Sequence, residues 1–295
     1  LNANTTDYNT AVGCAALYYN STGGENTAVG RTALHTNSTG DDNTAIGYNA
    51  LYSNTTGVSN TAVGSLALDA NTTGSQNAAF GKHALGTNTT QSGNTAFGHG
   101  AFAVSNGGTY GVAIGWHALV ANTTGDQNIA VGAEALDACT TGSYNVAVGK
   151  GCLPGMTTGD YNTAMGLQAG LALTTGTGNT LIGDEAGSNI TNGSNNVCIG
   201  RDSTASSAGV LNTVTLGSGD ITALRCQVQT ISSLSDERDK TDIVDLPLGL
   251  DFLNTIRPVK FTWKNREPIP HKDGTSRAGF IAQELDKAQK DAGVA

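Results

Sequence analysis

Apolar and polar residues recur in a fixed order along most of this chain. The motif Asn-Thr-Ala-Val-Gly begins at Asn9, Asn26 and Asn60, and an apolar residue precedes its glycine in each repeat. That glycine returns every 17 residues, at Gly13, Gly30, Gly47, Gly64, Gly81, Gly98, Gly115, Gly132, Gly149, Gly166, Gly183, Gly200 and Gly217. So strict a period predicts one stacked structural unit per repeat.

Each repeat has two short apolar segments and one turn. Ala-Val-Gly is the first segment, Ala-Leu follows the glycine by three and four residues, and Asn-Thr-Thr-Gly is the turn. The segments are too short for helices, so residues 1–217 are predicted to form an all-β repeat, a β-roll or β-solenoid of thirteen 17-residue coils. At about 4.8 Å per coil its length is roughly 60 Å. The periodic glycine predicts a bend or a close approach of two backbones.

A single roll built from Ala, Val and Leu has a thin core, which leaves Ala and Leu rows exposed. Association of several chains covers such rows, and a homotrimer is the predicted assembly. The stacked Asn and Thr turns could bind glycans, ions or ice, but we interpret them as hydrogen-bonded turn residues. Their Asn-x-Ser/Thr sequons are read as a by-product of the turn. His35, His83, His99 and His117 fall at different offsets in their repeats, so they are predicted to form no ladder and to be surface residues rather than ligands.

The repeat pattern changes after Gly166. Gly170 and Gly187 replace the usual Leu, and Leu181 replaces an Ala, which we read as the end of the solenoid. Residues 218–234 then alternate in polarity, as expected of a neck strand or linker.

Charge narrows the possible partners. Residues 1–234 hold 5 Lys and Arg against 13 Asp and Glu, a net charge of −8, which argues against nucleic acid as a partner. The chain contains no run of 18 apolar residues, so no membrane insertion is predicted. The five cysteines lack CxxC spacing, and Cys152 and Cys198 occupy alanine positions, so we predict core filler, no disulfide, no metal and no cofactor. The absence of an initial Met indicates a fragment or a processed product.

Residues 235–295 have ordinary globular composition and are predicted to form a small α+β domain. The sequence predicts a helix from Leu250 to Ile256, a strand over Val259–Trp263, and a strand-to-helix passage beginning at Gly279. Ser235 precedes Lys240 by five residues at the junction of the two parts. Serine is a weak nucleophile at neutral pH, and a desolvated neutral lysine can accept its proton.

Three motifs of this region occur in order over about fifty residues: Ser-Asp-x-Arg-x-Lys, Leu-x-x-Ile-Arg-Pro-Val-x-Phe-x-Trp-Lys and Gly-Phe-Ile-Ala-Gln-Glu. Together they resemble the intramolecular chaperone auto-processing domain that ends phage endosialidase tail spikes and many tail fibres. The resemblance implies trimerisation of the preceding fibre, followed by self-cleavage through a serine–lysine dyad. Carried over, Ser235 is the nucleophile, Lys240 the base and Leu234–Ser235 the cleaved bond, with Asp236 and Arg238 orienting the loop. The family's long C-terminal helices are missing, so the module is read as truncated.

The Ala-Val/Ile-Gly-x-x-Ala core also resembles the head repeats of trimeric autotransporter adhesins, which are β-rolls with shorter repeats. The leading hypothesis is therefore a virion tail fibre or spike that attaches to a host cell-surface receptor, with a glycan among the candidates. Two alternatives stay open: a bacterial adhesin at the cell surface, and an assembly module in which Ser235 and Lys240 are only structural. An ice-binding solenoid ranks last.

Overall fold

We analysed a computed structural model of the chain. It describes residues 8–223, 258–261 and 277–291. The chain divides into two compact units, Leu1–Leu224 and Arg225–Ala295.

Within residues 8–223 the first unit is a parallel β-solenoid with thirteen three-residue strands, which confirms the predicted repeat fold. The strands are β1 (Thr10–Val12), β2 (Thr27–Val29), β3 (Thr44–Ile46), β4 (Thr61–Val63), β5 (Ala78–Phe80), β6 (Thr95–Phe97), β7 (Val112–Ile114), β8 (Ile129–Val131), β9 (Val146–Val148), β10 (Thr163–Met165), β11 (Thr180–Ile182), β12 (Val197–Ile199) and β13 (Val214–Leu216). They lie in chain order in one sheet, each beside the strand of the next coil.

The register of this sheet equals the sequence period. Ala11 pairs with Ala28, and each later strand pairs in parallel with the residue 17 positions on. Identical positions therefore stack into columns along the solenoid. Because successive strand residues point to opposite faces, the middle residue points inward and its two neighbours point outward.

The periodic glycine serves both predicted purposes. Gly115 has a φ of +137°, a conformation that favours glycine. A Cβ on Gly115 would lie 2.5 Å from the carbonyl oxygen of Gly132 in the next coil. The chain thus bends at this column, and successive backbones approach too closely for a side chain.

The prediction of exposed Ala and Leu rows is wrong. Ala28, Ala33 and Leu34 have no accessible surface, and their equivalents along the solenoid form one buried cluster. The leucine lies in the left-handed region, with φ of 50° at Leu34, which turns its side chain inward. The interior is therefore closed within a single chain.

Two columns of asparagine also lie inside the coils. In one column Asn54 donates to the Oδ1 of Asn37 at 2.8 Å and to the carbonyl of Gly57 at 2.9 Å. In the other, Asn26 Oδ1 accepts the backbone N–H of Asn43 at 2.9 Å. These buried amides meet the hydrogen-bonding needs of the turns, which is the condition for burying polar groups.

The altered repeats after Gly166 do not end the solenoid, because regular strands continue to Leu216. Leu181 is fully buried at a position where most coils have alanine. Cβ atoms added at Gly170 and Gly187 would lie 2.8 Å and 2.5 Å from the Leu181 methyl groups. Leu181 therefore fills the space that two missing leucines leave, and the departures compensate one another.

The described part of the second unit has an antiparallel hairpin, β14 (Pro258–Phe261) and β15 (Arg277–Phe280), followed by helix α1 (Ala282–Asp291). The strand expected from Val259 and the strand-to-helix passage near Gly279 are confirmed at these positions. Glu284 in the first turn and Lys290 in the last turn complement the helix dipole. The helix predicted from Leu250 to Ile256 lies outside the described residues.

Candidate functional site

The predicted cleavage site lies outside the described residues. This applies to Leu234, Ser235, Asp236, Arg238 and Lys240 alike, so their roles stay predictions. Residues 221–223, the last described before this segment, are exposed and have no regular structure.

Two of the three motifs that carry the family resemblance fall on described elements of the second unit. Pro258–Phe261 of the second motif forms β14, and Gly279 and Phe280 of the third motif end β15. Pro258 pairs with Phe280 and Val259 with Gly279 across the hairpin. Motifs separated by about twenty residues in sequence are therefore adjacent in space.

The outward face of the solenoid sheet presents a second candidate surface. The residue before each periodic glycine points outward, and all thirteen are apolar: Val12, Val29, Ile46, Val63, Phe80, Phe97, Ile114, Val131, Val148, Met165, Ile182, Ile199 and Leu216. Phe97 is 57% exposed and Met165 48%. We call this column, with the parallel outward column at the start of each strand, the outer row. Neither column contains a charged residue.

Sequence reasoning recognised the apolar residue before glycine but assigned exposure to the wrong columns. The signal was present in the period of two within each strand. Since Ala11 and Val12 are neighbours in an extended segment, only one of their columns can face inward. The smaller residue fits inside the narrow coil, and the larger one is left outside.

The histidines are not scattered as predicted. His83 and His117 both follow their periodic glycine by two residues, and His99 follows its glycine by one. The rings of His99 and His117 stack with centroids 5.7 Å apart. Trp116 stacks on His117 at 4.2 Å, so these side chains form one aromatic cluster on the surface.

The asparagines of the turns cannot serve as a ligand surface. Asn20, Asn37, Asn54, Asn71, Asn88 and Asn122, which begin the sequons, have no accessible surface. Their amide groups are enclosed in the folded coil, so they are closed to glycans as ligands and as modifications alike. The residues that follow them, serine after Asn20 and Asn37 and threonine after the others, are partly exposed, and Thr55 donates to the carbonyl of Thr72 at 3.0 Å.

Cys152 and Cys198 fit their predicted role as core filler, whereas Cys14 is exposed. Cys152 and Cys198 are buried in the solenoid interior, together with Cys139. Burial raises the pKa of the Cys139 and Cys152 thiols to about 12, which keeps both protonated at neutral pH. Among the described residues no group of three His, Cys, Asp or Glu side chains could hold a metal ion. No described helix is long and apolar enough to cross a membrane.

Comparison with known families adds one finding at the C-terminal end. Residues 235–294, about a fifth of the chain, match the peptidase family described as the chaperone of endosialidase. No curated protein and no solved structure matches the chain.

The match agrees with the three-motif resemblance and covers the region in which β14, β15 and α1 lie. The family is the class of self-cleaving intramolecular chaperones. It supports a trimer-assembly module of the tail-fibre or tail-spike type at the end of the solenoid chain.

Proposed function

We propose that this chain is a segment of a virion tail fibre or spike of the phage type, which attaches to a host cell-surface receptor. Three copies assemble through the solenoid with the help of the C-terminal module, which then removes itself by cutting between Leu234 and Ser235. The observation that carries the proposal is the start of the family match at residue 235, the residue expected to become the new N-terminus. The thirteen coils precede that boundary.

The proposed reaction needs only groups of the chain and one water molecule. Ser235 Oγ attacks the carbonyl carbon of Leu234 while Lys240 Nζ accepts the hydroxyl proton. The peptide C–N bond breaks, the proton passes to the departing α-nitrogen of Ser235, and an ester joins Leu234 to the serine oxygen. Water then hydrolyses the ester, which restores the hydroxyl and leaves a carboxylate on Leu234. Asp236 and Arg238 orient the loop, and the intramolecular geometry lowers the entropic part of the barrier.

The outer row supplies the proposed contact between copies in the fibre. Thirteen strands spaced about 4.8 Å apart, each about 10 Å wide, give a face of roughly 600 Å² per chain. Standard-size interfaces bury about 600 to 1,000 Å² per partner, so the outer row reaches the lower end of the size that stable association requires. Because the outer row is uncharged, the acidic chains meet where their mutual repulsion is weakest.

Release of the chaperone makes assembly hard to reverse. Once residues 235–295 are gone, the assembled solenoids can separate only by unfolding or by exposing their outer rows. The stability of such a fibre is then governed by the rate of dissociation rather than by an equilibrium with folding intermediates.

Intact-mass measurement after expression of the full chain tests the cleavage. The wild type should yield fragments ending at Leu234 and beginning at Ser235, whereas Ser235→Ala and Lys240→Arg should stay whole. Ser233→Ala is the matched control and should cleave normally. Whole chains in the wild type, or equal cleavage in Ser235→Ala, would contradict the proposed dyad.

Sedimentation of outer-row variants tests the assembly. Phe97→Lys combined with Ile114→Lys places two buried charges in each chain of the assembly, so the trimer should dissociate to monomers. Thr124→Lys, an exposed position on another side of the solenoid, should leave the trimer intact. A trimer that survives the double substitution would place the contact elsewhere.

A further inference from the structure

One segment of the acidic solenoid has the opposite charge character. Residues 70–125, which are 56 consecutive positions, contain no Asp or Glu. The same segment carries Lys82, His83, His99 and His117, and its only tryptophan is Trp116. Three of the five histidines of the chain therefore lie in a stretch of sequence without a carboxylate, on a molecule whose net charge is −9.

The fold brings these side chains onto two adjacent columns. Lys82, His99 and Trp116 each follow a periodic glycine by one residue, so the 17-residue register stacks them on consecutive coils about 4.8 Å apart. His83 and His117 occupy the next column, two coils apart. Gly100 lies between them in that column.

The ring geometry shows a continuous surface. The His117 ring leans over Gly100, where a Cβ would lie 2.7 Å from its Cδ2. This position lets His117 stack on the His99 ring at 5.7 Å and on the Trp116 indole at 4.2 Å, with interplanar angles of 23° and 13°. Trp116 nevertheless stays 49% exposed, and Lys82 and His99 are exposed beside it.

Such a combination matches the chemistry of an acidic sugar. The apolar C–H face of a pyranose ring packs on an exposed indole, while hydroxyl and carboxylate or sulfate oxygens accept hydrogen bonds from ammonium and imidazole groups. Because these side chains are exposed, the cluster does not belong to the hydrophobic core. A flat stacking surface and hydrogen-bond donors are thus available at one place.

We propose that Lys82, His99, Trp116 and His117 form a binding site for an acidic saccharide. The inference rests on the proposed attachment function and names the part of the fibre that recognises the receptor. The indole face holds a sugar ring, Lys82 pairs with its anionic group, and the imidazoles of His99 and His117 bind hydroxyls.

Neighbouring carboxylates set the length of the site. Asp69 lies one coil before Lys82, and Glu134 follows His117 in the same column. Asp137 also interacts electrostatically with His117. An anionic ligand is repelled at both ends, so the favourable stretch spans about three coils, roughly 10 to 15 Å, which fits two or three sugar units.

Tryptophan fluorescence of the assembled full chain tests the site. The probes are glucuronate-, galacturonate- and sulfate-bearing oligosaccharides and their neutral parent oligosaccharides. We expect at least one acidic probe to change the emission saturably and to bind at least tenfold more tightly than its neutral parent. Trp116→Ala should abolish the change, because Trp116 is the only tryptophan among residues 1–234, and Lys82→Gln should weaken binding at least tenfold.

Lys150→Gln is the matched control, because Lys150 also follows its periodic glycine by one residue but lies outside the carboxylate-free segment. It should bind as the wild type does. Equal weakening by Lys82→Gln and Lys150→Gln, or equally tight binding of double-stranded DNA, would indicate general attraction of anions and overturn the proposal.

The failure of this site is distinguishable from the failure of the proposed function. If the chain forms cleaved trimers but no acidic probe binds saturably, the saccharide site is wrong and the fibre assembly stands. If the chain is an uncleaved monomer, the fibre proposal fails, and the probe titration still reports on the site. Unchanged circular dichroism melting of Trp116→Ala confirms that a loss of binding is local.

Discussion

The early and late coils of the solenoid have the same backbone conformation but differ in the residues of one buried column. Before residue 139 one buried column is built mostly of asparagine, including Asn54, Asn71 and Asn88, which donate to one another along the axis. From residue 139 onward the same column reads Cys139, Met156, Leu173 and Ile190, all fully buried. The strands on either side keep the same length and register.

This difference shows that the interior column does not determine the fold. A fully hydrogen-bonded amide ladder and an apolar column are interchangeable because each leaves no buried polar group without a partner. What the two halves share is the glycine column, an inward alanine in most strands and an asparagine before most strands. The shared features should therefore be the most sensitive to substitution, and the interchangeable ones less so.

The largest effect is expected at the shared glycine column. Gly115→Ala forces alanine to φ near +137° and its Cβ against the backbone of Gly132, so we expect a loss of about 4 kcal/mol or more. Chemical denaturation measures it.

Gly151→Ala is the control for Gly115→Ala. Gly151 has a φ of +55°, which non-glycine residues adopt at this position in other coils, and its nearest neighbour for a Cβ is Gln168 Cγ at 3.6 Å. It should cost less than about 1 kcal/mol. Similar losses in both variants would show that the glycine column is not what the two halves depend on.

The next largest loss of stability is expected in the late half, where Leu181 compensates for two missing leucines. Leu181→Ala empties the space that this side chain fills beside Gly170 and Gly187, so we expect a loss of about 3 kcal/mol. Adding Gly187→Leu to that variant restores the usual Ala and Leu pattern and should recover most of the stability, whereas Gly187→Leu alone should destabilise through collision with Leu181. Additive losses in the double variant would refute the compensation.

Breaking the amide ladder of the early half should cost somewhat less. Asn71→Leu removes the donor 2.9 Å from Asn54 Oδ1 and leaves that acceptor buried, whereas the Gly74 carbonyl keeps its hydrogen bond from Asn60 Nδ2 at 2.9 Å. We expect a loss of about 2 kcal/mol. Met156→Leu, in the apolar half of the same column, should cost less than about 1 kcal/mol, and an equal cost at both positions would erase the contrast between the halves.

The smallest effect concerns Asp137, just before the column changes character. Burial raises the pKa of its carboxyl, and Oδ1 is buried without a hydrogen-bond partner. Because the folded pKa exceeds the unfolded one, its stabilising contribution is present at pH values below the unfolded pKa and is lost as pH rises through the folded pKa. Asp137→Asn should therefore melt slightly higher than the wild type at pH 7 and no higher at pH 3. A lower melting temperature at pH 7 would contradict this.

The sequence was enough to predict the solenoid because its period, its glycines and its turns all agree on one coil geometry. It could not assign inside and outside, since Ala, Val and Leu are all apolar and only the width of the coil decides which of them fits within. The pairing of Leu181 with Gly170 and Gly187 could not be predicted for a related reason. Each substitution, taken alone, indicates a weakening repeat, and only the structure shows that the three residues are in contact.

The candidate sites were also predicted only in part from the sequence. The motifs around Pro258 and Gly279 predicted strands that the structure has, and the family match begins at Ser235 as the resemblance implied. The aromatic cluster was missed because His99 and His117 have different offsets from their glycines. The two rings stack although they belong to neighbouring columns, and comparing residues at a single repeat position does not reveal such a contact.

Native mass spectrometry of the purified wild-type chain tests the central claim most directly, because it reports assembly and cleavage in one spectrum. The account predicts a complex of three copies of residues 1–234 together with a separate 61-residue fragment that begins at Ser235. A monomer of the uncut 295-residue chain as the sole species would contradict both assembly and self-cleavage.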